Sequence, residues 1–203
     1  MKIHTWQNKS SSFSILESKA AKKIALRFIK RGNKILDIGC GDCDFFDLIK
    51  QYKKDCYLHA FDVLKEARNI AKNKGYVAHE SLNIKQKFDV ITAFECLEHL
   101  DVVGRVKYSR LIDNMLKIDG YVVMSFPHIN SLLAVLNYYD NIEHKPPYIK
   151  EKHILSLFPN FKIVKKRFVN PWLNPIKQLH CLLTGLSFNS IFNNVVYVLK
   201  KEK

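Results

Sequence analysis

The stretch Lys34-Ile35-Leu36-Asp37-Ile38-Gly39-Cys40-Gly41-Asp42 constrains the fold more than any other part of the chain. Ile35, Leu36 and Ile38 read as a short buried strand that breaks at Gly39. Asp44 to Lys50 then has helical patterning. A strand, a Gly-x-Gly turn and a helix form a nucleotide-binding start in an α/β domain. Lacking a Cβ, Gly39 and Gly41 let a ligand lie against the backbone, and either can take positive φ. The helix start behind them is expected to offer unpaired N–H groups.

The surrounding residues narrow the ligand. A dinucleotide fingerprint needs a third glycine three residues after the second, where this chain has Asp44. The Gly-Lys-Ser/Thr of a P-loop is absent. Asp37, at the strand end, is wrong for a phosphate but suits a ligand with a cationic amino group. Asp37-x-Gly39-x-Gly41 therefore favours S-adenosylmethionine (SAM). Cys56 to Phe61 reads as the next strand, with Asp62 at its end, 25 residues after Asp37. An acid there accepts hydrogen bonds from ribose hydroxyls.

These residues resemble the class I SAM-dependent methyltransferases. Ile35 to Gly41 matches that family's first motif, Asp62 its second acid, and Phe88-Asp89-Val90-Ile91 its fourth strand. Glu95-Cys96-Leu97-Glu98-His99-Leu100 is similar to the ubiquinone-type branch. The resemblance spans about Ala20 to Val169 and implies a Rossmann-like α/β fold with a seven-stranded, mostly parallel sheet. It implies cofactor contacts at Asp37, Gly39, Cys40, Gly41, Asp62 and Phe94. Cys43 stands where the family usually has a third glycine, which is expected to narrow the space near the ligand. An acid or polar residue after the third strand usually bonds the adenine; Glu80, Ser81 and Asn83 are the candidates.

At 203 residues the chain is read as one domain, 1–203, with an inserted acceptor-covering segment at about 128–148. An apolar run of about 18 residues, as a membrane helix needs, is absent, and the start of the sequence has no apolar signal core. The five cysteines suggest reduced cytosolic thiols rather than a disulfide framework or a zinc site. A cytoplasmic location follows, with peripheral membrane attachment allowed. The net charge is +14, so anionic lipid surfaces and nucleic acid are the macromolecular partners it favours, nucleic acid being the weaker expectation. Nothing in the sequence fixes the oligomeric state.

In chain order, a helix is expected from Ser12 or Ser14 to about Lys30, with Gly32 just past its end. Helices follow at Lys65–Asn73, Val102–Lys117 and Ile149–Leu157. Strands are expected at 76–78, 88–94, 121–126, 161–169 and 194–199, with Gly120 stopping the fourth of the helices.

Methyl transfer is an in-line displacement, and the enzyme mainly aligns acceptor and methyl group. A base is needed when the acceptor is a hydroxyl that must lose a proton. Glu95, Glu98 and His99 are the candidate catalytic residues, and their spacing would place them on one face of a helix. Two readings stay open. His99 is a general base, or the three side chains, with His128 or His144, hold a hard divalent ion. The sequence favours the base, and no metal ligand is assigned from it. The expected function is methyl transfer to a hydroxyl of a small or lipid-like molecule. The alternatives are a metal-dependent RNA ribose 2′-O-methyltransferase, which shares a Glu-x-x-Glu-His run, and a SAM-binding protein without turnover.

Overall fold

In the computed structural model, residues 12–53, 55–128, 144–146, 148–169 and 194–203 are described, with side chains from Lys19 onward. Most of the expected inserted segment and the whole of 170–193 lie outside them. The elements are α1 (Ser12–Leu26), β1 (Lys34–Ile38), α2 (Asp44–Tyr52), β2 (Tyr57–Phe61), α3 (Lys65–Asn73), β3 (Val77–His79) and β4 (Phe88–Phe94). After a 3₁₀ turn, Leu97–His99, come α4 (Val102–Met115), β5 (Leu116–Pro127), α5 (Glu151–Leu157), β6 (Phe161–Val169) and β7 (Asn194–Lys201).

The seven strands form one sheet in the order β3-β2-β1-β4-β5-β7-β6. All neighbouring pairs are parallel except those of β7, which runs antiparallel to β5 and β6. The order reverses between β1 and β4. In an open α/β sheet, that switch point opens the ligand crevice at the strands' C-terminal ends.

Alternation along the strands builds a core on each face. Leu36, Ile38, Ile91, Val122 and Met124 pack with Ile112 and Met115 of α4 and Ile154 of α5. Ile35, Val90 and Val123 pack on the other face with Ala21 and Ala25 of α1 and Phe45, Phe46 and Ile49 of α2. Burying such aromatic and branched side chains is worth about 1.5–3 kcal/mol each.

Two expected element ends move. Helix α1 stops at Leu26, and tighter turn bonds carry the chain on, from Arg27 N–H to Ile24 C=O and from Phe28 N–H to Ala25 C=O. Gly32, at φ +75°, serves the following turn, where Asn33 N–H bonds Lys30 C=O. At the other site α4 ends at Met115, and β5 starts at once. Gly120 stops no helix. It lies inside β5, where the register with β4 shifts, and a Cβ there would sit 3.0 Å from the Asp89 carbonyl oxygen. The strand needs a glycine for that close backbone approach.

Candidate active site

The turn after β1 is tied to β2 rather than left open. The N–H groups of Gly39 and Cys40 both donate to the Phe61 carbonyl, at 2.8 and 3.2 Å. Gly41 N–H donates to Asp62 Oδ2 at 3.0 Å. At the start of α2, Asp44 N–H donates to Asp42 Oδ1 at 3.2 Å. Much of the expected free N–H cradle is therefore tied down within the turn, which disfavours a phosphate and leaves room for a ligand bound through other groups.

The glycines act sterically. Gly39 has φ +80°, and a Cβ on it would come within 2.4 Å of Cys96 Sγ, whereas nothing lies within 4 Å of one on Gly41. Cys43 keeps the left-handed backbone (φ 63°) that a glycine would adopt there without strain. Its side chain is fully buried in the core beside Phe45 and Phe46, so the expected narrowing at the ligand does not follow from it. Cys40 is buried, and its thiol is pushed up by a hydrogen bond with Cys43 and by burial, which keeps it protonated.

Asp62 accepts Gly41 N–H through Oδ2 and Leu64 N–H, at 2.9 Å, through Oδ1. Each carboxylate oxygen keeps a second lone-pair direction for a ribose hydroxyl. Asp37 is 3% exposed and accepts the Thr92 hydroxyl at 2.6 Å. Burial raises its pKa to about 7, and the Thr92 hydrogen bond, followed by the charge of Lys22, offsets part of that rise. A cationic amino group placed beside it would favour the ionised form. Phe94, half-buried, stands edge-on to Phe45 at 5.2 Å. Of the adenine candidates, Glu80 is held by Arg68 at 3.2 Å and Lys72 at 2.7 Å, and Ser81 Oγ accepts Asn83 N–H at 3.4 Å.

Glu95, Glu98 and His99 are not arranged on one helical face. Glu95 has φ +52°, so the chain turns sharply out of β4, and the only helical turn is the short Leu97–His99. A non-glycine residue held in that region is strained, and such strain concentrates at functional sites. Glu95 accepts the Ser125 hydroxyl at 2.5 Å and shares a hydrogen bond with Glu98. Burial raises both carboxyls, and the neighbouring Glu95 charge raises Glu98 further. Glu98 is 1% exposed, and its Oε2 has no hydrogen-bond partner among the described residues.

The His99 ring meets that of His144, with centroids 5.0 Å apart. Glu98, His99 and His144 each offer one ligand atom, and these atoms lie within 4.8 Å of one another. An orphaned buried carboxylate oxygen beside two imidazoles fits a divalent ion. The donor set is less hard than the sequence suggested and suits Mn²⁺ or Zn²⁺ better than Mg²⁺. His128 is not in this group; its ring packs on Phe168 at 4.5 Å.

Three contributors escaped the sequence reading. Thr92 and Ser125 are polar residues near the ends of apolar strands, and that is their only signal. Arg105, 4% exposed, donates through Nε to the Leu97 carbonyl at 3.0 Å and through Nη2 to the Lys145 carbonyl at 2.7 Å. It thereby joins the two segments that carry His99 and His144. A basic residue on the inner face of α4 was its only mark.

A methyltransferase-domain family model matches residues 13–195, nearly the whole chain. The chain belongs to that family. Among solved structures it is similar to a SAM-dependent methyltransferase from Archaeoglobus fulgidus, at 18% identity over 93% of this chain and 94% of that one, TM-score 0.73. It is also similar to the N-methyltransferase NodS from Bradyrhizobium japonicum WM9, at 15% identity over 92% and 97%, TM-score 0.63. A third is the Burkholderia thailandensis 1,6-didemethyltoxoflavin-N1-methyltransferase with 1,6-didemethyltoxoflavin and S-adenosylhomocysteine bound, at 14% identity over 98% and 81%, TM-score 0.65. Identities this low show a shared fold. Among curated protein sequences none matches. The chain is a SAM-dependent methyltransferase with the Rossmann-like class I fold, and SAM is its cofactor.

Proposed function

We propose that the enzyme moves the SAM methyl group to a hydroxyl of a small or lipid-like molecule, with a divalent ion held by Glu98, His99 and His144. The observation that carries this is the gathering of those three ligand atoms within 4.8 Å, where the turn that follows β4 at the switch-point crevice meets the segment that carries His144. A neutral amine attacks a sulfonium without losing a proton first. A hydroxyl gains from a Lewis acid or base that draws off its proton. A site that groups two imidazoles and a buried carboxylate thus suits an oxygen acceptor.

SAM supplies an activated methyl group. The chain's own residues do the rest. Gly39 and Gly41 admit the cofactor to the backbone, Asp62 receives the ribose, and Asp37 faces the amino group. Glu95, held by Ser125 and Glu98, keeps the crevice wall in place. An ion at Glu98, His99 and His144 would lower the acceptor hydroxyl's pKa. The ubiquinone-type similarity of Glu95 to Leu100 supports a small or lipid-like acceptor. An RNA ribose has the same hydroxyl chemistry, and the net charge of +14 would favour it.

The test is labelling with isotopic SAM in a cell extract, with and without chelator and nuclease. The proposal expects chelator-sensitive, nuclease-resistant label that extracts as a small or lipid-like product. Nuclease-sensitive label would move the assignment to RNA. Label indifferent to chelator would return His99 to the role of a metal-free base.

A further inference from the structure

Helix α4 begins just past His99 and buries one side, with Arg105, Tyr108, Ser109, Ile112 and Met115 turned inward. Its opposite side carries an open groove of about 370 Å³ lined by Val102, Val103, Val106, Lys107, Arg110 and Leu111. Val102 is 53% exposed and Val103 76%. Exposed β-branched residues lose rotamer freedom in a helix and weaken it slightly, so these valines do not serve the helix itself. Lys107 and Arg110 follow Val103 and Val106 at helical spacings of four, which puts the charges along the groove. Neither has an ion-pair partner among the described residues. By contrast Lys22, Lys74, Lys117 and Lys200 each hold a carboxylate at 2.5–2.7 Å.

We infer that this face of α4 docks on an anionic lipid surface. Apolar side chains flanked by unpaired cations match such a surface on both counts, the valines meeting the acyl boundary and Lys107 and Arg110 the headgroups. The net charge of +14 adds long-range attraction of the same sign. Docking there would set the membrane against the start of α4, just past His99 in the chain. The inference deepens the lipid-like acceptor reading. Its assay uses no SAM, acceptor or metal, so a failed methylation assay and a failed vesicle assay point to different errors.

The experiment is flotation of the purified protein with phosphatidylcholine vesicles, with or without phosphatidylglycerol, at low and high salt. Binding is expected only to the anionic vesicles and should be lost as salt rises. Lys107→Gln with Arg110→Gln should weaken it about thirtyfold, or about fivefold per charge. Val103→Asp should weaken it at least as much, while both variants keep the wild-type SAM affinity as proof of folding. Equal binding to both vesicle types, binding to neither, or unchanged binding by the variants would overturn the inference. A protein that dimerises through this face, becomes monomeric with Val103→Asp and ignores vesicles would assign the groove to a second copy instead.

Discussion

The Lys145 N–H donates to the Glu98 carbonyl across 2.7 Å. This one bond holds the segment carrying His144 against the turn carrying His99. Arg105 reinforces it from beneath by bonding the carbonyls of Leu97 and Lys145. Arg105→Met should leave both carbonyls unsatisfied and destabilise the fold by about 2–6 kcal/mol, at about 1–3 kcal/mol per lost partner. Mn²⁺ affinity should fall with it, and SAM affinity should stay near wild type. Arg105→Lys should rescue little, because one ammonium cannot reproduce the guanidinium's fork. Denaturant melts and Mn²⁺ titrations of the two variants check this. Full rescue by lysine would show that charge alone matters.

Gly39 meets a different constraint. An alanine there would have to keep φ near +80° and push Cys96 Sγ from 2.4 Å. The backbone alone costs about 1–2 kcal/mol. Gly39→Ala should therefore lose stability and nearly all SAM binding. Adding Cys96→Ala should restore only the steric part. A double-mutant cycle on melting data measures that coupling. Strict additivity would mean the two residues do not touch.

Burial lifts the Asp37 pKa from its ordinary 3.8 to about 7, so the folded state holds a proton that the unfolded chain has released. Stability linked to Asp37 is thus fully present below pH 3.8, falls as pH rises, and is lost above about 7. The loss is at most about 4 kcal/mol. Asp37→Asn should melt higher than wild type at pH 8 and close to it at low pH, yet bind SAM more weakly. SAM binding to the wild type near neutral pH should release protons, readable as a buffer-dependent heat. A variant with unchanged melting at pH 8 would contradict the buried, protonated Asp37.

Ligands of one ion act as a unit. Glu98→Gln, His99→Ala and His144→Ala should each reduce Mn²⁺ binding nearly as much as all three together. Glu95→Gln should be milder, since Glu95 is held by Ser125 and Glu98 rather than gathered with the histidines. Titration of each variant with Mn²⁺ checks the pattern. A set of small additive losses would speak for separate roles.

Much of this was legible in the sequence because local chemistry decided it. The run from Lys34 to Asp42 and the acid at Asp62 placed β1, the turn and β2, and the crevice between β1 and β4 followed from strand order. The arrangement of Glu95, Glu98 and His99 on one helical face was misread. Their spacing suits a helix, but the Ser125 hydroxyl and carbonyl hold Glu95 in a left-handed conformation, and both groups come from β5. Gly120 was misread because the pairing of β5 with β4 crowds it: a Cβ there would meet Leu116 Cγ and the Lys117 carbonyl at 2.9 Å and the Asp89 carbonyl of β4 at 3.0 Å. The sequence offered His128 and His144 as equals. The Arg105 and Lys145 bonds, long in range, bring His144 to His99.

We propose oxygen as the acceptor atom. The most direct measurement uses SAM with an isotopically labelled methyl carbon, incubates it with enzyme, Mn²⁺ and extract, and reads the product's methyl resonance. An oxygen-bound methyl that disappears with chelator and returns with Mn²⁺ is the result this account predicts. A nitrogen- or carbon-bound methyl, formed equally well in chelator, would contradict it.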